Sequence, residues 1–327
     1  MKTAGKLSIA FVAVFLVFFV VRSVASGGGD DRMLIEPVVH DPVLAEDNGV
    51  FYLYCTGENI ACFSSRDLEH WRSEPPVFSA PPEWALRSIP GYEGHTWAPD
   101  IIYHDGAYHL FYSCSSFGRN TSAIGHAVRE VLDPADTSHV WRDTGPVVRS
   151  TEGENNYNAI DPSVFIDDLG VPWMVFGSFW GGIQLIRLTD DLTAQDTSFA
   201  MRTVARRSKG SAIEAPFLFK HGDYYYLFVS FDYCCRGLES NYNVVVGRSE
   251  RIEGPYFDRN GWEMATGGGT AVVSSDPDFV AIGHCAVYTF GKRDYFVAHG
   301  YSRTENGLSK LFLRELCWDD AGWPFLG

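Results

Sequence analysis

Three carboxylates in this chain share one local setting. Asp41 stands in His40-Asp41-Pro42, Asp161 in Ile160-Asp161-Pro162 and Glu214 in Ile213-Glu214-Ala215-Pro216, each opening an apolar run and preceding a proline. Proline restricts the residue before it to extended backbone, so Asp41 and Asp161 are expected to have fixed, extended geometry. An acid beside a strand core is expensive to bury unless it is paired or put to use. Three together suit hydrolysis of a glycosidic bond with inversion. A general base activates water and a general acid protonates the leaving oxygen, the two standing roughly 6.5–9.5 Å apart. A third, ionised carboxylate would keep the acid protonated near neutral pH by like-charge repulsion.

These acids must be brought together by something, and the chain supplies a repeat. One phrase recurs five times: HDPVLAEDNGVFYLYCTG, WAPDIIYHDGAYHLFYSC, DPSVFIDDLGVPWMVFGSF, EAPFLFKHGDYYYLFVSF and GHCAVYTFGKRDYFVAHGY. Each copy has a polar head, a short apolar run, a turn and an alternating aromatic strand. The turns fall near Gly49, Gly106, Gly170, Gly222 and Gly291, a spacing of roughly 50–70 residues that signals the blades of a propeller. The heads are Asp41, Trp97, Asp161, Glu214 and His284, and as equivalent positions they would converge at one end of the central axis. Apolar runs of four to eight residues rich in Val, Ile, Phe and Tyr, bounded by Gly, Asp, Asn or Pro, predict strands throughout. Segments such as Ile60–Ser64 and Ile183–Leu188 read as middle strands, and Val140–Asp143 as an outer one. The reading is one all-β domain, a five-bladed β-propeller over residues 34–327 with its site at the axial mouth. A propeller commonly closes by lending a strand from one terminus to the blade begun by the other, and Met33–Val39 and Leu311–Trp318 are the candidate segments. A β-sandwich does not account for a repeat this long.

Bulk properties narrow the partner. In 327 residues, 46% apolar side chains and 32 glycines suit a large core with many tight turns, and a formal charge of −15 argues against nucleic acid or anionic lipid. Lys2 and Lys6 precede an apolar run from Leu7 to Val21, and Ser23-Val24-Ala25 forms a small-x-small site. Residues 1–25 therefore read as a signal peptide of a secreted protein, and 26–33 as a flexible acidic leader. The apolar run is shorter than the ~20 residues a membrane span needs, so no stable membrane association is expected. Secretion permits disulfides among the seven cysteines. Cys55 and Cys62 flank a hairpin and could face each other across it, whereas the neighbours Cys234 and Cys235 are not expected to pair. No CxxC pair offers a zinc motif. Asn120-Thr121-Ser122 is a glycosylation sequon in a loop expected to rim the groove, where a glycan would interfere.

At HDP (40–42), WAPDI (97–101), SSFGRNTSAIG (115–125), NAIDPSVF (158–165), GSFWGGI (177–183), AIEAPF (212–217), YYYLFVSFDYCC (224–235), VGRS (246–249), GPY (254–256) and GH (283–284), the chain resembles glycoside hydrolase family 43, and within it the endo-1,5-α-L-arabinanases. The resemblance runs from about Glu36 to Pro324. It implies that Asp41 is the general base, Asp161 the orienter and pKa modulator, and Glu214 the general acid. It implies that Trp97 and Phe117 stack on sugar rings and that Ser178 contacts the sugar near the cleaved bond. The histidine matching His284 contacts a hydrated calcium ion in the central channel of related arabinanases, which implies a calcium site here. Cys285-Ala286 stand where the family commonly has Asn-Ser, a departure beside that site.

The substrate so implied is plant cell-wall arabinan, cut internally by a monomeric secreted enzyme. The short chain, without the accessory β-sandwich of many exo-acting relatives, favours internal cleavage. The alternatives are an exo-acting arabinofuranosidase or β-xylosidase of the same family, and a non-catalytic carbohydrate-binding propeller. A lectin has no need of an acid–base pair, which speaks against the last. No GxSxG elbow occurs, which removes the commonest serine hydrolase signature.

Overall fold

The computed structural model describes residues 33–207 and 212–327. The expected signal peptide, and all of the expected leader except Met33, lie outside the described residues. Five antiparallel sheets follow one another along the chain. Blade 1 comprises Val43–Asp47, Val50–Cys55, Ala61–Ser65 and Arg72–Glu74. Blade 2 comprises His95–His104, Ala107–Cys114, Ser122–Arg129 and Arg142–Ser150, with the two-residue strand Gly57–Glu58 on its inner edge. Blade 3 comprises Ser163–Ile166, Pro172–Phe176, Ile183–Arg187 and Arg202–Ala205. Blade 4 comprises Ile213–His221, Tyr224–Phe231, Asn243–Ser249 and Thr270–Val273. Blade 5 comprises Phe279–Phe290, Arg293–Ser302, Ser309–Trp318 and Pro324–Leu326. The first strands of successive blades touch, and that of blade 5 touches that of blade 1. They form a closed ring of five around the axis, and the chain is an all-β five-bladed propeller.

Each of the five repeated turns joins the first and second strands of its blade. Gly49, Gly106, Gly170, Gly222 and Gly291 all lie at φ between 57° and 83°, a left-handed conformation that glycine adopts without steric cost. The strands are buried on both faces because each blade packs between two others. All eight residues of Ser122–Arg129 are buried, for example, which is why the runs read as continuously apolar. The outer strand of blade 2 starts at Arg142 rather than Val140; Val140 is exposed.

Ring closure differs from the expectation. Among the described residues no strand is exchanged between the termini: all four strands of blade 5 come from residues 279–326. Leu311–Trp318 lies within the third strand of that blade. Met33–Val39 instead makes a tie across the outside of the junction. Leu34 exchanges backbone hydrogen bonds with Trp71 of blade 1 (2.7 and 2.8 Å), and Pro37 and Val39 bond Leu311 and Ser309 of blade 5 (3.0 and 3.3 Å). Pro37 has no N–H to give, so the segment binds at a few points and adds no strand.

The cysteines also depart from expectation. Tyr54 pairs with Cys62, and Cys55 with Ala61. The two cysteines are thus one residue out of register and point to opposite faces of the sheet; both are free and buried. Cys234 and Cys235 are joined by a disulfide, at a turn where Asp232 and Cys235 both take positive φ. Cys114, Cys285 and Cys317 are free. Among the described residues no helix is long and apolar enough to cross a membrane.

Candidate active site

The mouth is built on a backbone feature that recurs at every blade. Asp41, Ala98, Asp161, Ala215 and His284 all lie at φ between 42° and 56°. Four of them precede a proline, yet their backbone is left-handed, not extended as the proline rule predicts. A partner on the preceding blade holds it so. Ala98 N–H donates to Thr56 Oγ1 (2.8 Å), Asp161 N–H to Ser113 Oγ (3.0 Å), His284 N–H to Ser230 Oγ (2.8 Å) and Asp41 N–H to His299 Nδ1 (3.1 Å). Each acceptor lies in the last four residues of the second strand of its blade or directly after it. In blades 2, 4 and 5 the ladder register shifts across the left-handed residue, and such a bulge re-aims the side chains beside it.

This pattern corrects the alignment of the five heads. Asp41, Asp161 and His284 occupy the left-handed position itself, whereas Trp97 and Glu214 stand one residue before it. Glu214 therefore enters the site from a different backbone position than the two aspartates. The pattern also breaks once. In blade 3 Gly177 follows the second strand, and Ser178 donates to Glu214 Oε2 at 2.7 Å instead of accepting Ala215 N–H. That N–H goes to Asp161 Oδ2 at 3.1 Å. The one irregular junction thus ties Asp161, Glu214 and Ser178 together. Ser178 is buried and gives its hydroxyl proton to Glu214.

Asp41 is buried among imidazoles. His40 Nδ1 and His284 Nδ1 lie 2.7 and 3.0 Å from its Oδ1, and Thr56 Oγ1 donates to Oδ2 at 2.5 Å. Burial alone would raise its pKa, but His284 and His40 hold it well below the usual carboxylate range. His284 shows the converse. Burial alone would lower its pKa, and the Asp41 carboxylate overrides this and raises it to about 9. The two form an ion pair. Asp161 and Glu214 are both pushed above the ordinary carboxylate range, first by burial and then by neighbouring carboxylates, among them Glu214 acting on Asp161 and Asp41 acting on both. Glu214 keeps part of its surface open to the mouth. The mouth thus holds one firmly ionised carboxylate and a pair that resists ionising, which suits simultaneous base and acid work.

Several neighbours escaped the sequence reading. His299 is fully buried; because its Nδ1 accepts the Asp41 N–H, its proton sits on Nε2, which has no hydrogen-bond partner. Burial and the adjacent His40 lower its pKa well below the usual value. The Tyr242 hydroxyl is buried beside Glu214, also with no partner at hydrogen-bond geometry. Its ring occupies the space that a Cβ on Gly283 would need, at 2.0 Å. Asp100 is buried in the first strand of blade 2, accepts Val164 N–H at 2.6 Å, and is raised to about 7 by burial. A signal for His299 was present: Thr56, Ser113, Ser178, Ser230 and His299 stand at equivalent places near the close of the five repeated phrases.

The remaining expected residues lie around the rim. Trp97 is half-buried and donates to His95 Nδ1 at 2.9 Å. Phe117, just beyond the second strand of blade 2, is 76% exposed. Trp180 and Tyr233 stand in the corresponding loops of blades 3 and 4, 39% and 40% exposed. Phe179 and Trp180 are consecutive left-handed residues at φ 55° and 38°, a strained pair of the kind retained where a side chain must be presented. Asn120 departs from expectation. It is buried, and its Nδ2 donates to the carbonyls of Asn155 and Tyr157, both at 3.0 Å, so a glycan, which takes the place of one Nδ2 hydrogen, would remove at least one of these bonds.

Comparison with known proteins follows the same lines. The chain matches the family described as glycosyl hydrolases family 43 over residues 32–324. It is 44% identical to an extracellular exo-α-(1→5)-L-arabinofuranosidase of Cellvibrio japonicus, over 88% of this chain and 85% of the relative. It is 40% identical to an extracellular endo-α-(1→5)-L-arabinanase of Bacillus subtilis, over 88% and 87%. Among solved structures, an exo-1,5-α-L-arabinanase from a bovine ruminal metagenomic library superposes with a TM-score of 0.87 at 47% identity, covering 90% of this chain and 98% of that one.

Thr56 tests the junction geometry. Its hydroxyl accepts the Ala98 N–H and donates to Asp41, so Thr56→Val leaves a buried N–H and a buried carboxylate short of a partner. The expected loss is about 1–3 kcal/mol in urea unfolding, with Thr56→Ser keeping most of it.

Proposed function

The chain belongs to glycosyl hydrolase family 43, and we propose that it hydrolyses the α-1,5-arabinofuranosidic bonds of arabinan with inversion. The observation that carries the proposal is the division of charge at the mouth: Asp41 ionised between two imidazoles, Asp161 and Glu214 resisting ionisation. Asp41 takes a proton from the attacking water. Glu214, held by Ser178, gives its proton to the leaving oxygen. Asp161, fixed by the Ala215 and Ser113 contacts, orients Glu214 and makes loss of its proton harder. Water attacks directly, so the first product has the opposite anomeric configuration.

Internal cleavage fits the exposed aromatics Phe117, Trp180 and Tyr233, which follow the second strands of three successive blades and offer a polymer more than one stacking surface. Release from a chain end is the second reading, favoured by the exo-acting names of the relatives at 44% and 47% identity. Chain length does not discriminate, since this chain covers 98% of that exo-acting enzyme. Secretion belongs to the same proposal; both named relatives are called extracellular. Product analysis on linear arabinan, with proton NMR of the first product, tests the whole reading. Mixed oligosaccharides appearing early mean internal cleavage, and a short product of uniform length means chain-end release. A retained anomer, or no hydrolysis of arabinan, overturns it.

A calcium ion is part of the proposal. His284 gives Nδ1–H to Asp41, and its Nε2 would hold an ion only after giving up its own proton, the metal's charge then replacing that of the imidazolium; a carboxylate would so orient a ligating imidazole. The clusters of three ligating groups among the described residues are His40 with Cys234 and Cys235, and His40 with Asp41 and His299. Neither includes His284, so the chain offers the ion one nitrogen and water must complete its shell. When bound, the ion would supply positive charge against the carboxylates' mutual repulsion.

Glu214→Gln should lower the rate on arabinan by at least about 10²–10⁴-fold while the melting temperature stays near that of the unaltered protein. Retention of more than about a tenth of the rate would remove Glu214 as the acid. Asp161→Asn should move the alkaline limb of the pH–rate profile to lower pH. Asp161 and Glu214 titrate as a pair: once the first proton leaves, the ionised partner holds the remaining proton by repulsion, and Asn at position 161 removes that partner, so the last proton leaves earlier. For the metal, elemental analysis should find calcium at one per chain, and a strong chelator should lower the melting temperature until calcium is restored.

A further inference from the structure

The disulfide between Cys234 and Cys235 lies three hydrogen-bonded contacts from the residue proposed as the base. The Cys235 backbone N–H donates to the Tyr301 hydroxyl at 2.7 Å. That hydroxyl is 3.1 Å from His40 Nε2, and His40 Nδ1 is 2.7 Å from Asp41 Oδ1. Tyr301 is buried. The His40 ring stacks on His299 with centroids 3.7 Å apart, and His299 in turn accepts the Asp41 N–H. The Cys235 sulfur itself stands 3.8 Å from His40 Nε2.

The bonds have a direction. A tyrosine hydroxyl that accepts a fixed N–H still has its own proton to give, and His40 Nε2 is the acceptor within reach. The imidazole then carries a proton on Nδ1, facing Asp41. What fixes the N–H is the turn at Cys235, which takes φ 67°, a conformation a non-glycine residue keeps only when its surroundings impose it. The ring closed by two adjacent cysteines is such an imposition. Without it the turn is held by the bonds from Tyr233 N–H to Asn241 Oδ1 (3.1 Å) and from Arg236 N–H to Ser240 Oγ (2.9 Å).

We infer that the Cys234–Cys235 disulfide is a positioning element for hydrolysis: it holds the Cys235 peptide against Tyr301, and Tyr301 and His40 carry that constraint to Asp41. The inference rests on Asp41 being the base. It makes the enzyme sensitive to reduction at one place, because the other five cysteines are free. A dithiol such as dithiothreitol supplies two electrons and two protons, the S–S bond breaks to two thiols, and the reagent leaves as its cyclic disulfide.

The test is steady-state kinetics on linear α-1,5-arabinan with the whole chain, oxidised and reduced, and with Tyr301→Phe. Reduction should lower kcat about ten- to a hundredfold with KM within twofold, and reoxidation should restore it. Tyr301→Phe should lower kcat similarly when oxidised and lose little more on reduction, because the link is already cut. Cys234→Ser/Cys235→Ser should match reduced wild type, which keeps the test open if Tyr301→Phe does not fold. The inference is overturned if kcat is unchanged when seven thiols are counted. It is also overturned if reduction costs Tyr301→Phe as much as wild type, or if the loss lies in KM alone. An active Asp41→Asn removes the premise itself, whereas an inactive Asp41→Asn beside an unaffected Tyr301→Phe removes only the relay.

Discussion

The mouth depends on one repeated contact, a backbone N–H in left-handed geometry given to a side chain of the preceding blade. The left-handed conformation costs a non-glycine residue about 1–3 kcal/mol, and a buried hydrogen bond returns about 0.5–1.5 kcal/mol net. The contact therefore adds little to stability. What it leaves is position: Asp41 and Asp161 are pinned through their own backbones to the neighbouring blade. Because the pinned atoms span two blades, the acids' placement follows from ring geometry and not from any single loop.

The same ring explains why three carboxylates in one cavity differ in charge. Asp41 receives Nδ1 of His40, Nδ1 of His284 and the Thr56 hydroxyl, enough to offset its burial. Asp161 and Glu214 receive one neutral donor each, an amide and a hydroxyl, which do not offset it. The division comes from which donors each acid meets on its own blade and the two neighbouring blades. His299 contributes by accepting rather than donating, which keeps it uncharged beside an ion pair that already has its cation in His284.

Much of this was legible in the sequence, and the reasons for the rest are physical. Strands buried on both faces gave continuous apolar runs, and the five turn glycines, all at positive φ, marked the blade period without ambiguity. Asp41, Asp161, Glu214 and His284 are brought to one mouth as the head positions suggested. The one-residue offset of Glu214 was not visible, because a bulge is a property of the paired strand and not of the segment alone. The proline rule misled at Asp41 and Asp161, where a partner far along the chain overrides a local preference. Cysteine spacing could not show that Cys55 and Cys62 fall on opposite faces. Nor could it show that the turn at Cys235 brings adjacent sulfurs together. Asn120 looked like a surface sequon, and only the packing of its amide against Asn155 and Tyr157 shows otherwise.

Since among the described residues no strand is shared between blades 5 and 1, the propeller has a seam there, bridged by side-by-side packing and the few bonds of residues 34–39. Asp41 sits on that seam: its acceptor His299, and the His284 that charges it, belong to the blade completed last along the chain. The four other junctions lie between segments adjacent in sequence and can form in order. Asp41, the proposed base, therefore has its geometry set by contacts between the two ends of the described chain. A parting of those ends would take both histidines from Asp41 while leaving the other four junctions in place, so the proposed catalytic centre would report whether its own scaffold is closed.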